Sequence, residues 1–210
     1  MTPDVMEAPP ATDRPSIGCQ ALDDRPLTTA VWLPAVVAAH AQRDPSRTAI
    51  EVAGRPTSFA TLHRRSRKLA SSLGGLAAPG AMVDIVCCAE HLDELLVAYL
   101  ACRTAGLRPC VHMPSELPAD RGHGAVGAVA CESGTAAWQA AGLRGWLVGD
   151  GLGARWWRLL ELIHPPLELD RSHAIADEVD LIRGPGTVVG PGDIRTSLGA
   201  LAAGVVQRLG

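Results

Sequence analysis

Lysine is nearly missing from this chain: of its 19 basic residues 18 are arginine, and Lys68 is the only lysine. Any reaction that depends on a lysine side chain must therefore use Lys68. Aromatic residues are also few, at 3%, with a single tyrosine and a single phenylalanine beside five tryptophans. The core has to be built from aliphatic side chains. No apolar run reaches the roughly eighteen residues that a membrane-spanning helix needs. The opening Met-Thr-Pro-Asp-Val-Met-Glu lacks the charged and apolar regions of an export signal. A cytoplasmic protein with no membrane partner is the expectation. One-sided charge is absent as well. With 19 basic against 22 acidic residues the net charge is −3, which supplies no electropositive field for a phosphate backbone, so no nucleic-acid partner is expected.

Metal and nucleophile signatures are lacking too. The six cysteines, Cys19, Cys87, Cys88, Cys102, Cys110 and Cys131, form no CxxC pair, and their density is far below that of a disulfide scaffold. They are expected to be reduced core thiols, with no metal site. Seven histidines are scattered with no i, i+4 pair beside a glutamate, which excludes the zinc-hydrolase pattern. Cys131-Glu132-Ser133-Gly134 follows an apolar segment, but no G-x-S-x-G or papain-like phrase surrounds it. It reads as a buried thiol at a strand end.

What is present is a chain of 210 residues, 47% hydrophobic, long enough to bury about 70% of its unfolded surface around one core. Residues 1–28 carry Pro3, Pro9, Pro10, Pro15 and Pro26 with no apolar period and read as a disordered leader. Residues 29–210 read as one folded domain. Leu33, Val36, Val37 and Ala41 keep helical spacing up to Asp44-Pro45, where proline forces its predecessor out of the α region. Thr48–Val52 and Thr57–Phe59 flank Ala53-Gly54-Arg55-Pro56 as a hairpin. Ser58 is placed to cap a helix over 60–76, with Leu62, Leu69 and Leu73 inward and Arg64, Arg65, Arg67 and Lys68 toward water.

Beyond Pro79-Gly80 the pattern alternates. Strands are predicted over 82–88, 107–113, 125–131, 145–148, 167–169 and 179–182, and helices over 93–104, 135–141 and 155–163, with one more helix before the end. Met82–Cys88 is nearly continuous in apolar character, as a strand covered on both faces requires. Gly106 stands where a helix wants a left-handed cap. This alternation predicts an α/β fold, a mostly parallel sheet with helices on both faces in a layered sandwich, joined by right-handed crossovers.

Two further phrases carry a chemical reading. Gly149-Asp150-Gly151-Leu152-Gly153-Ala154 fits G-x-G-x-x-A after a strand, with Asp170 about twenty residues on. Such a fingerprint normally opens its domain, and Pro165-Pro166 interrupts the approach to the acidic residue, so a plain glycine-rich turn is expected. Trp156 and Trp157, with Leu159, Leu160 and Leu162, make a broad apolar helix face. Core packing explains each tryptophan, and together they are also candidate anchors of an interface.

Several local phrases share an order. Ala38-Ala39-His40-Ala41-Gln42-Arg43-Asp44-Pro45-Ser46-Arg47-Thr48-Ala49-Ile50 ends a helix in a Pro-Ser-Arg phrase before Ala-Ile; Thr57-Ser58-Phe59-Ala60-Thr61-Leu62 leads into Arg65–Ala70. Pro79-Gly80-Ala81-Met82-Val83 precedes a strand, and Leu100-Ala101-Cys102-Arg103-Thr104-Ala105-Gly106 closes a helix. In this order and spacing they resemble the N-terminal subdomain of the adenylate-forming superfamily, the acyl-CoA synthetases and nonribosomal-peptide adenylation domains.

The resemblance implies a phosphate loop, Thr-Ser-Gly-Thr-Thr-Gly-x-Pro-Lys-Gly, after a short strand ending near Ile182. This chain has Gly184-Pro185-Gly186-Thr187-Val188-Val189-Gly190-Pro191-Gly192-Asp193. Such a loop cradles a phosphate with hydroxyls and backbone N–H groups, and a lysine adds charge. Gly186, Thr187 and Pro191 match, but hydroxyl positions hold Gly184, Pro185 and Val188, and Gly192 stands in place of the lysine. Asp193 adds a carboxylate that repels a triphosphate. The family's adenine pocket, acyl pocket and C-terminal catalytic lysine would lie beyond Gly210, and Lys68 on an early helix cannot take that role. The expectation is therefore a truncated, degenerate adenylation-like domain with no catalytic residues and no cofactor. Its implied role is that of an ancillary or scaffold subunit bound to partner enzymes of acyl or aminoacyl assembly, or a homodimer. The alternative is the N-terminal half of a split ATP-dependent ligase completed by another chain.

Overall fold

The computed structural model describes residues 29–117, 124–143, 145–149, 180–182, 194–204 and 206–209. Helix α1 (Leu33–Arg43) ends at Asp44 ahead of Pro45, as the proline requires. Strands β2 (Thr48–Val52) and β3 (Arg55–Ser58) form the antiparallel hairpin, and Ala53 and Gly54, both at positive φ, make its turn. Helix α2 (Phe59–Gly74) starts at Ser58, whose Oγ accepts the Thr61 backbone N–H at 3.2 Å. Strand β4 (Met82–Val86) leads into α3 (Leu92–Thr104) through a short 3₁₀ turn, and Gly106 at φ +71° redirects the chain into β5 (Arg108–His112).

Strand β6 (Gly127–Ala130), α4 (Glu132–Ala140) and β7 (Trp146–Gly149) repeat the strand–helix–strand unit. The order β5-β4-β6-β7 makes a sheet that is parallel throughout. The two faces are covered differently. Val83, Ile85, Val129 and Val148 pack with α1, α2 and α3 in the larger core, while Val86, Ala128 and Ala130 pack with Trp138 of α4 and with Leu143. Helix α3 is buried along almost its whole length, because it lies between the sheet and the layer of α1 and α2. That explains its nearly all-round apolar sequence.

The predicted layered α/β sandwich is the observed fold, with one difference. The strand predicted over 179–182 does not extend the parallel sheet: as β8 (Asp180–Ile182) it pairs antiparallel with β1 (Thr29–Val31), and β9 (Gln207–Leu209) joins β2 in parallel, so the hairpin becomes a three-stranded sheet; the sequence reading predicts neither β1 nor β9. Helix α5 (Ile194–Ala203) buries Leu198 and Leu201, and its C-terminal end is tied to α1 by His40 Nε2, 2.9 Å from the Ala202 carbonyl, and to the turn before β2 by Arg47, which donates to the Gly204 carbonyl. The basic face predicted for α2 also needs correction. Arg64 is exposed, but Arg65 turns to α3, where its guanidinium donates at 2.8 Å to both carboxylate oxygens of Glu94.

Among the described residues no helix is long and apolar enough to cross a membrane. The predicted helix over 155–163 and strand over 167–169 lie outside the described residues.

Candidate functional site

In an open parallel sheet, the crevice for chemistry lies at the carboxyl ends of the strands where successive crossovers diverge. Here β4 crosses to β5 on one side through α3, and β6 crosses to β7 on the other through α4. The ends of β4 and β6 are therefore the switch point. The sequence places Cys87 and Cys88 just after β4, and Cys131 just after β6 as the residue that opens α4.

The register Val83↔Gly127 through Val86↔Ala130, continued by the Cys131 N–H donating to the Val86 carbonyl at 3.1 Å, holds the two strand ends side by side. Cys88 Sγ lies 4.0 Å from Cys131 Sγ. Ser133 Oγ stands 3.3 Å from Cys131 Sγ and 3.4 Å from Cys88 Sγ. Cys131 is only 4% exposed and Cys88 is half-buried, while Ser133 is exposed. The approach of α4 to β4 depends on Gly134, since a Cβ there would collide with the Val86 carbonyl.

The three thiols have unequal acidities. The Cys131 thiol is held well below the usual thiol range by the Cys87 thiol donating to it, helped by the Ser133 hydroxyl and by the backbone N–H groups of Cys88 and Gly134. A helix N-terminus adds to this preference for the thiolate. Cys87 is pushed up by the neighbouring Cys131 thiol and by its own burial. Cys88 is raised by burial, with the Ser133 hydroxyl acting in the opposite direction. Cys102, inside α3, is pushed up to about 12 by burial, with the Arg103 charge acting in the opposite direction.

A second polar group sits inside the sheet. Asp84 of β4 and His112 of β5 are both buried, with His112 Nε2 3.0 Å from Asp84 Oδ1. Cys110 lies opposite Asp84 in the register, and the donor atoms of Asp84, Cys110 and His112 lie within 4.8 Å of one another. A carboxylate, a thiolate and an imidazole are a donor set that suits zinc. The sequence reading, which expects no metal site, gives no hint of this group, because its members join only through strand pairing.

Sequence reasoning also missed the thiol cluster as a cluster. Cys131 is the buried strand-end thiol it predicted, but its partner Cys88 is 43 residues away. The residues it did single out, Gly186, Thr187 and Pro191 of the phosphate-loop phrase and Trp156 and Trp157, lie outside the described residues. So do Asp150–Ala154 of the glycine-rich phrase. Its strand is seen as β7, and the strand and helix expected on either side of the phosphate-loop phrase are seen as β8 and α5.

No family model matches the chain, and no curated protein matches it. Solved structures do. The O-succinylbenzoate coenzyme A synthetase of Bacillus subtilis in complex with AMP superposes with a TM-score of 0.59 at 13% identity, over 86% of this chain and 55% of that one. The N-terminal domain of FACL13 from Mycobacterium tuberculosis superposes with a TM-score of 0.65 at 10% identity, over 84% of this chain and 56% of that one. The nonribosomal peptide synthetase FmoA3 aligns over 88% of this chain with a TM-score of 0.58 at 13% identity. The chain has the fold of the N-terminal subdomain of adenylate-forming enzymes. This chain spans little more than half the length of the first two, and identities this low establish the fold alone.

Proposed function

We propose that this adenylation-like chain works by binding rather than by catalysis, as an ancillary or scaffold subunit for enzymes of acyl or aminoacyl assembly, of the polyketide or nonribosomal-peptide type. The observation that carries the reading is the phrase between β8 and α5. The segment between a strand and a following helix is a place where backbone N–H groups and the helix N-terminus can hold a phosphate, and this phrase follows β8 and precedes α5 in the sequence. The residues written there, Gly184 to Asp193, offer one hydroxyl, no lysine and a carboxylate. With Lys68 on α2 as the chain's only lysine, no second one is at hand to supply the charge.

Binding partners in this proposal are a biosynthetic enzyme, a carrier-protein-linked subunit or a second copy of the chain, with Trp156 and Trp157 as candidate anchors. Pyrophosphate exchange with a panel of carboxylic acids tests it, run on the purified chain and again with the products of neighbouring genes added. No exchange in either arm, with a stable complex or homodimer by light scattering, is the expected outcome. ATP-dependent exchange appearing only in the mixture would overturn it in favour of a split ligase, a reading that the span of little more than half the synthetase structures also accommodates.

A further inference from the structure

We propose that Cys131 and Cys88 are a peroxide-reactive thiol pair that closes to a reversible disulfide at the switch point of the sheet. Four independent features of the fold meet there. The sulfurs, carried by different strand–helix units, stand 4.0 Å apart, so side-chain rotation has only about 2 Å to close to reach an S–S bond. Their backbones are fixed side by side by the β4–β6 register and by the Cys131 N–H bond to Val86. An exposed hydroxyl, Ser133, touches both sulfurs and marks the side from which a small oxidant enters. The N-terminus of α4 points at Cys131, which favours negative charge on that sulfur over its two neighbours.

The pair divides the chemistry. Cys131 as thiolate attacks one oxygen of hydrogen peroxide: an S–O bond forms, the O–O bond breaks, and the departing hydroxide takes up a proton to give water. Cys88 sulfur then attacks the sulfenic sulfur. The S–S bond forms, the S–O bond breaks, and the leaving hydroxide carries off the Cys88 proton as a second water. Two thiols and one peroxide become one disulfide and two waters; the sulfurs lose two electrons and the peroxide oxygens gain them. A dithiol reductant reverses the closure by two exchanges. Cys87, whose neighbouring buried thiol favours charge on Cys131, does not join the bond.

The test is treatment of the reduced full chain with one equivalent of hydrogen peroxide, followed by intact mass, alkylation and non-reducing peptide mapping with fragmentation. The expected result is the loss of two hydrogens, two of the six cysteines closed to alkylation, a Cys88–Cys131 linkage, and full recovery with dithiothreitol. Six alkylatable cysteines after treatment, or a linkage through Cys87, Cys19 or any other thiol, would overturn the proposal. Because Cys131 is buried and its replacement risks the fold, Cys88→Ser provides the second arm. With the resolving sulfur removed, a dimedone adduct accumulates on Cys131; an adduct on another cysteine, or none, contradicts the proposal.

Discussion

Asp84 and His112 are at least 98% buried inside the sheet, with His112 Nε2 hydrogen-bonded to Asp84 Oδ1. A hydrogen bond between two buried polar side chains is hard to replace, because the interior offers no water to take the place of the lost partner. His112→Ala is therefore expected to destabilise the fold by about 1–3 kcal/mol, read as a lowered midpoint in urea unfolding; an unchanged midpoint would contradict the pairing. At Cys131 the consequence is chemical. A thiolate forms as pH rises through the thiol's pKa, and hydrogen bonds from Cys87, Ser133 and the backbone move that rise to lower pH. Iodoacetamide labelling of Cys131, mapped by mass spectrometry, is expected to proceed at about pH 6, well below the ordinary thiol range. Cys102, shifted the opposite way, stays unlabelled there. Labelling of Cys131 that begins only above about pH 8 would show that the thiol is ordinary.

The elements owe their placement to a few residues with specific tasks. Ser58 starts α2, Gly106 ends the run from α3, and Gly134 lets the first turn of α4 sit against the end of β4. Gly134→Ala puts a Cβ into the Val86 carbonyl, so α4 must move or β4 must bend. The expected cost is about 1–3 kcal/mol of stability, together with slower peroxide-driven closure, because Cys131 and Ser133 move with the helix. Unchanged melting and closure would mean the contact is not tight. Most elements were legible in the sequence. Pro45 stops α1, the Ala53-Gly54 turn makes the hairpin, and the nearly continuous apolar character of Met82–Val86, interrupted by Asp84, marks a strand covered on both faces. Strands β1 and β9 were not, because three residues carry no period and their pairing with β8 and β2 is decided by distant chain. The site was least legible of all. Cys88 meets Cys131, and Asp84 meets His112, only after parallel strands set a register that local spacing does not encode.

At the scale of the molecule, the fold and the chemistry separate. The layers, the four-stranded parallel sheet and the superposition on synthetase structures establish an adenylation-like architecture, yet a fold hosts many functions and the site decides which. The proposed silence of this chain rests on the phrase Gly184 to Asp193, which keeps Gly186, Thr187 and Pro191 of a phosphate cradle without its other hydroxyls or its lysine. The peroxide-reactive pair is independent of that reading, since it uses the ends of β4 and β6. Isothermal titration of the full chain with magnesium-ATP tests the central claim most directly. The account predicts no saturable heat up to roughly 1 mM nucleotide, the regime of binding weaker than about 4 kcal/mol. Magnesium-dependent uptake with a micromolar Kd would contradict it and return a catalytic role to the chain.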